Sequence, residues 1–290
     1  MKKFTKGMLI LACVFLAVGL GFSVAGAAMG ASMEEMDFSG DFRDGARRMK
    51  NMVFGNNDWD FDWNDDDDEA GYSEANWVQN DENVRTYPVE AVDEIEIDLR
   101  YDELILKTHA EDTILVSVEN DTSGNVKVES SSNKLKIKST KKKNNRRITV
   151  SYPAGRKFSK MDINVGAGNV SAEDDLLADE LDVEIGAGEF ANDASITAET
   201  LKVEVGAGEA DITGVSAKKI DGECGIGSLF LSIKGEQTDY NYKLECGIGD
   251  ISIGDESYSG FAREKKITNP GASGEIDLEC GIGEIEIEFE

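Results

Sequence analysis

The chain has 290 residues, a formal net charge of −28 and a mean hydropathy of −0.36. Its 58 acidic residues against 30 basic ones leave no electrostatic basis for binding nucleic acid or an anionic membrane surface. Cations, basic peptides and neutral glycans are therefore the expected classes of partner.

The amino-terminal end carries the pattern of a membrane segment. Three lysines precede an uncharged, largely apolar stretch over residues 7–33. That length is enough to span a bilayer, and the basic flank places the amino terminus in the cytoplasm. Residues 1–33 are therefore predicted to be a short cytoplasmic end and a transmembrane helix. A cleaved signal peptide is the alternative, because Ala25-Gly26-Ala27 resembles a cleavage site. Both interpretations export the rest of the chain.

Residues 34–84, the acidic tether, contain a low-complexity acidic run at residues 57–69. Such a run repels itself and stays extended, so the tether is predicted to be disordered. Calcium binding is the alternative, since Asp58, Asp60 and Asp62 alternate. The glycine and the bidentate glutamate of a calcium loop are missing at the required spacing, and no metal site is assigned.

A basic cluster at residues 141–147 lies between two strand-like runs, residues 134–138 and 148–152. This arrangement predicts a β-hairpin with the cluster at its tip. The alternative is a dock for an anionic wall polymer, lipid headgroups or the acidic tether.

Six copies of a Gly-X-Gly step dominate the second half of the chain, at residues 166–168, 186–188, 206–208, 225–227, 247–249 and 281–283. Each copy closes an alternating run such as Leu181–Ile185, which is typical of a strand with one buried face. The first glycines are 20, 20, 19, 22 and 34 residues apart, and a period near 20 predicts a solenoid with one coil per repeat. Glycine is expected at the corner of each coil. Residues 95–106 have the same strand, corner and strand phase without the glycines, as expected for an atypical capping coil.

Three cysteines, Cys224, Cys246 and Cys280, precede the first glycine in what are expected to be consecutive coils. They fill the position held elsewhere by valine or isoleucine, which predicts buried, reduced thiols acting as small apolar groups. In these coils the residue between the glycines changes from alanine to isoleucine, as at Ile248. Positions two apart in a strand face the same side, so the cysteine and the isoleucine are expected to share one part of the core.

The residue inventory argues against an enzyme. His109 is the one histidine of the chain, so a Ser-His-Asp site or a histidine-ligated zinc site is not expected. A polysaccharide lyase or hydrolase is the best catalytic alternative, using paired carboxylates. However, no arginine occurs between Arg156 and Arg263, and the acids recur evenly along the repeats. We predict no catalytic, cofactor-binding or metal-binding residues.

With its apolar amino-terminal segment, its acidic spacer and its repeated Glu-Cys-Gly-Ile-Gly pattern at residues 245–249 and 279–283, the chain resembles the bacterial putative adhesin family, which is built on a domain of unknown function. The resemblance covers about residues 85–290. It implies an all-β, right-handed, largely parallel β-solenoid on the cell envelope, without catalytic residues.

These observations predict a single-pass cell-membrane protein whose solenoid, residues 85–290, is extracellular. Its expected function is non-catalytic, adhesin-like binding at the cell surface, with an envelope or surface protein or glycan as partner and no cofactor. The alternative is a cell-envelope stress sensor or regulatory scaffold that binds a membrane partner.

Overall fold

A computed structural model describes residues 73–290 except 82, 91, 122–123 and 140–145. The predicted membrane segment and most of the acidic tether lie outside the described residues. In the described part, no helix has the length and apolar character needed to cross a bilayer.

The described residues form an all-β protein of fifteen strands with one short 3-10 turn at Gln237–Asp239. In chain order the strands are β1 Ser73–Glu74, β2 Val78–Asp81, β3 Val84–Val89, β4 Glu94–Leu99, β5 Asp102–His109, β6 Ile114–Glu119, β7 Val126–Ser130, β8 Lys134–Ser139, β9 Arg146–Pro153, β10 Lys157–Ala172, β11 Leu176–Asn192, β12 Ile196–Ile233, β13 Tyr240–Ile253, β14 Glu256–Ile267 and β15 Gly274–Phe289. Hydrogen bonds join all of them into one continuous sheet. Strands β1 and β2 lie within residues 34–84.

Strands β10, β11 and β12 stack in parallel and in register, one coil on the next. Ile163 lies beside Val183, and Val183 lies beside Val203, so each layer is displaced by one 20-residue repeat. Strand β12 contains two layers, because Gly225 contacts Gly206 and the Lys234 amide donates to the Val215 carbonyl. The solenoid-like stack predicted from the 20-residue period is confirmed here.

Each coil has three sides around an apolar interior, as β11 illustrates. Exposed or half-exposed residues at 179–180 and 186–189 mark two corners, and a turn at residues 193–195 forms the third. The inward side chains between these corners are almost fully buried: Leu176, Ala178, Leu181, Val183, Ile185, Phe190 and Asn192. The same pattern in neighbouring layers produces one continuous core. Alternation along each side therefore determines which residues face water.

The second glycine of each Gly-X-Gly step forms a tightly packed column along one corner. At Gly188 (φ +146°), an added Cβ would lie 1.7 Å from the Gly168 carbonyl oxygen. The same contact repeats at Gly208, Gly227, Gly283 and Gly249, with distances of 1.6–1.7 Å. Only glycine allows the backbones of adjacent layers to approach this closely. The predicted role of these glycines at the corners is confirmed.

The last layers do not stack in chain order. Strand β15 lies between β12 and β13, in parallel register with both, and β14 pairs antiparallel with the far side of β13. The three cysteines therefore stack as Cys224, Cys280 and Cys246. The expectation of consecutive coils was wrong at this end, because coils with the same local pattern can stack in more than one order.

The other end of the stack is closed by strands from the first half of the domain. Strands β4 and β5 form one layer against β10, and β8 and β9 form the next, each pairing in parallel with β4 and β5 respectively. Strands β6 and β7 then pair antiparallel with β9 and β8. The prediction of a hairpin around residues 141–147 was wrong, since β8 and β9 do not pair with each other and instead form two sides of one coil, against β4 and β5.

Candidate functional surface

The side of the coil that contains Leu181–Ile185 presents two columns of charged side chains to solvent. The glutamate column contains, in spatial order, Glu184, Glu204, Glu223, Glu279, Glu245 and Glu264. The mixed column beside it contains Asp162, Asp182, Lys202, Asp221, Asp277 and Lys243. Neighbouring layers are roughly 4.8 Å apart, so the carboxylates of the glutamate column lie directly beside one another. We call the two columns together the acidic face.

Partial burial on the acidic face disfavours the charged form of several carboxylates. Burial, together with the adjacent Glu204, raises the pKa of Glu184 from 4.5 to about 7. Burial likewise raises the pKa values of Asp162 and Asp182 above their usual range. The charge of this surface therefore changes with pH near neutrality, because Glu184 is only partly ionised there.

Three lysines offset part of the negative charge, and one of them, Lys219, pairs with Asp221 at 2.6 Å. Lys202 forms an ion pair with Glu204 in its own layer. Lys243 lies 3.1 Å from a Glu245 oxygen, 3.3 Å from an Asp277 oxygen and 3.4 Å from a Glu279 oxygen. These pairs are partly exposed and individually weak. The acidic face therefore retains a large net negative charge over seven layers.

The charge of Glu184 should make stability depend on pH. Its pKa is higher in the folded chain than in the unfolded chain, so the folded state holds the extra proton and loses stability as the pH rises from about 4.5 to about 7. Glu184→Gln should remove this loss and raise the free energy of unfolding at pH 8 by about 1–3 kcal/mol, with little change at pH 4. Urea denaturation at both pH values measures the effect. The exposed Glu288→Gln variant is the control, and an equal gain in both variants would contradict the assignment.

The residue between the two corner glycines points away from the core. Ile226 and Ile282 are half-exposed, and Ile248 is 47% exposed, whereas Cys224, Cys246 and Cys280 are at most 1% exposed. The prediction that each cysteine shares a core region with the following isoleucine was wrong. The corner interrupts the alternation that holds within a strand, so positions two apart no longer face the same side.

Ile248→Ala should therefore cost less than about 1 kcal/mol, because its side chain is already largely in water. Ile285→Ala, in a fully buried position of β15, should cost about 2–5 kcal/mol. Chemical denaturation of the two variants makes the comparison. A similar cost for both would show that Ile248 packs against the core.

The three cysteine thiols are free and buried, as predicted. The hydrogen bond with Cys280 and burial raise the pKa of Cys246, so this thiol stays protonated at neutral pH. A protonated buried thiol is neither a good nucleophile nor a good metal ligand. Within the described ranges, no three His, Cys, Asp or Glu side chains are grouped so that they could hold a metal ion.

The described arginines of the basic cluster, Arg146 and Arg147, are taken up by ion pairs. Arg146 is fully buried and donates to both carboxylate oxygens of Asp102, at 2.5 and 3.2 Å. Its other terminal nitrogen lies 3.9 Å from Asp121, which also pairs with Arg85. Arg147 pairs with Glu103 at the surface. Sequence reasoning missed the burial of Arg146, whose signal is the strand phase shared with Ile148 and Val150.

His109 lies at the end of β5, where its Nε2 atom is 2.5 Å from the Thr113 carbonyl oxygen. This contact closes the turn between β5 and β6. The geometry gives His109 a structural position in that turn.

A model of the Toastrack DUF4097 family matches residues 92–289, which is more than half of the chain. The chain belongs to this family. The match covers the layers from β4 to β15, including the whole acidic face. Comparison of this Toastrack domain with curated protein sequences gives no match.

Several solved structures are similar to the Toastrack domain. A putative cell adhesion protein from Clostridium sporogenes is 18% identical, with 71% of this chain and 99% of that chain covered and a TM-score of 0.41. A putative adhesin from Bacteroides fragilis is 12% identical, with 72% and 99% covered and a TM-score of 0.32. A putative lipid binding protein from Parabacteroides distasonis is 14% identical, with 71% and 97% covered and a TM-score of 0.32.

Proposed function

We propose that the chain is a non-catalytic, adhesin-like binding protein of the bacterial cell envelope. In this proposal residues 7–33 form a single transmembrane helix, the tether holds the domain away from the membrane, and the right-handed solenoid is extracellular. The uncharged span and its basic flank support this topology.

The acidic face is the observation that carries the proposal. Six glutamates lie in one column at the spacing of neighbouring strands, and like charges in that position destabilise a sheet. Buried packing does not require them, since their side chains point outward. A partner with a cationic surface, such as a basic protein segment of the envelope, would relieve this repulsion on binding.

A binding experiment with matched variants tests the proposal. The full chain, reconstituted in nanodiscs, is incubated with the detergent-solubilised envelope fraction of its own cells, and bound proteins are quantified by mass spectrometry. Neutralising Glu223, Glu279 and Glu245 with glutamine should weaken capture of the main partner several-fold and reduce its salt dependence.

The control variant neutralises three exposed glutamates away from the acidic face, Glu111, Glu173 and Glu288. It changes the net charge by the same amount and should bind as the parent chain does. Equal loss in both variants would show that net charge alone drives capture and would overturn the assignment of the acidic face.

A further inference from the structure

Strand β15 fills a gap between two layers that are connected to each other without it. Its residues pair in parallel with Lys219–Ile233 of β12 on one side and with Tyr240–Ile253 of β13 on the other. The chain passes directly from β12 to β13 through residues 234–239, and only later returns to fill the space between them. We call this space the β12–β13 slot.

The two walls of the slot are held together independently of the side chains of β15. The Tyr240 hydroxyl group donates to the Ala217 carbonyl oxygen at 2.9 Å, so β13 is bonded to β12 across the width of the slot. The tyrosine ring passes Gly274, the first residue of β15, where an added Cβ would lie 2.4 Å from the ring. The slot thus has a brace at one end, and β15 has a glycine where the brace crosses it.

The walls also match the side chains of β15 specifically. Gly222 on β12 leaves space for Leu278, since a Cβ at this glycine would lie 2.6 Å from the leucine Cδ2 atom. At the far end Phe289 packs edge-on against the Tyr242 ring, with centroids 6.5 Å apart. The Glu290 amide then donates to the Ile233 carbonyl at 2.9 Å. These contacts recognise this strand sequence and not simply any extended chain.

One short connection, residues 268–273, determines which copy of β15 enters a given slot. Every contact just described is available to the β15 of a second molecule, because none of them depends on that connection. We propose that the β12–β13 slot also accepts β15 of a second copy of this chain, so that strand-exchanged dimers form when the protein refolds at high concentration or when the connection is too short. Exchange conserves the buried contacts and changes only the path of the connection.

The length of the connection provides the test. Ile267 pairs with Tyr242 and Gly274 pairs with Tyr240, so the ends of β14 and β15 are two strands and two residues apart, roughly 12 Å. Deleting Asn269 to Ala272 leaves two residues, whose three Cα steps reach at most about 11 Å. The shortened connection falls short of this span, so we expect β15 of the deleted chain to enter the slot of a second copy and form dimers.

Two controls keep the connection long enough. Asn269→Ala removes the side-chain hydrogen bonds to Gln237 and Tyr240 without shortening the connection. Inserting Gly-Ser-Gly-Ser after Gly271 lengthens it. Both variants should be monomers by native mass spectrometry of the full chain in detergent. A monomeric deletion variant would overturn the proposal.

A cross-link identifies the exchanged strand within a dimer. Lys243 on β13 lies 3.3 Å from an Asp277 oxygen on β15, within reach of a zero-length carbodiimide cross-link. In a dimer refolded from mixed isotopically heavy and light copies, exchange predicts that this cross-link joins heavy to light peptides. A dimer in which the link stays within one copy would contradict strand exchange.

The parent chain provides a second measurement if the deletion variant does not fold. Mixed heavy and light copies, unfolded in urea and refolded at high concentration, should contain mixed dimers that carry the heavy-to-light Lys243–Asp277 link and persist on dilution. Refolding to monomers alone at high concentration would overturn the proposal.

Discussion

Replacing Gly208 by alanine is expected to cost more than about 4 kcal/mol of folding free energy, enough to prevent folding of the stack. The new Cβ would lie 1.7 Å from the Gly188 carbonyl oxygen, and both atoms belong to rigid parts of the backbone. No change of rotamer relieves this overlap, so the two layers would have to separate. Chemical denaturation followed by circular dichroism measures the loss.

Gly155→Ala is the matched control for this prediction. Gly155 also has a positive φ, +74°, but an added Cβ there meets nothing within 4 Å. Its replacement should cost only the backbone strain, about 1–2 kcal/mol. Equal losses at Gly155 and Gly208 would show that dihedral strain, and not the close approach of layers, explains the glycine column.

Arg146→Met should destabilise the domain by about 3–5 kcal/mol, because it leaves the buried carboxylate of Asp102 without its cation. Asp102 retains a 2.7 Å hydrogen bond from the Ser139 hydroxyl group, whereas Asp121 retains its ion pair with Arg85 and its backbone amide donors. For Asp102, the neutral hydroxyl group does not replace a buried positive charge. Thermal and urea unfolding measure the difference.

The adjacent Arg147→Met is the control, since Arg147 is 46% exposed and pairs with Glu103 at the surface. Its loss should cost less than about 1 kcal/mol. If the two variants were equally stable, the buried ion pairs of Arg146 would contribute no more to the free energy of unfolding than the exposed pair of Arg147.

The repeated part of the fold is well predicted by its sequence. Alternation along Leu181–Ile185 shows which side chains are buried, and the Gly-X-Gly steps identify the corners. Both signals are local, because they depend on the pleat of one strand and on the space available at one residue. The acidic face follows from the same alternation, since the residues between buried positions must point outward.

Long-range order was not predictable in the same way. Strands β12, β13 and β15 share the same pattern of apolar and acidic residues, so the pattern does not specify which layers are neighbours. The side chains that do specify it are single features: Gly222 opposite Leu278, and Gly274 beneath Tyr240. The basic cluster was misassigned for a related reason. Two strands separated by a short polar loop resemble a hairpin, and only their partners β4 and β5 show otherwise.

The equal spacing of the middle layers has a consequence for how such a domain could change its size. Val165 contacts Ile185 and Ile185 contacts Val205, and the corner glycines of the three layers align in the same way. Excising residues 173–192 would join Ala172 to Asp193 and place Val165 directly on Val205, with Gly168 beneath Gly208. Both ends of the domain would keep their own covering strands. The stack would become shorter by one strand spacing, roughly 4.8 Å, while each surface column stays in line. The equal layers thus allow the length of the stack to change by a whole repeat without disturbing either end.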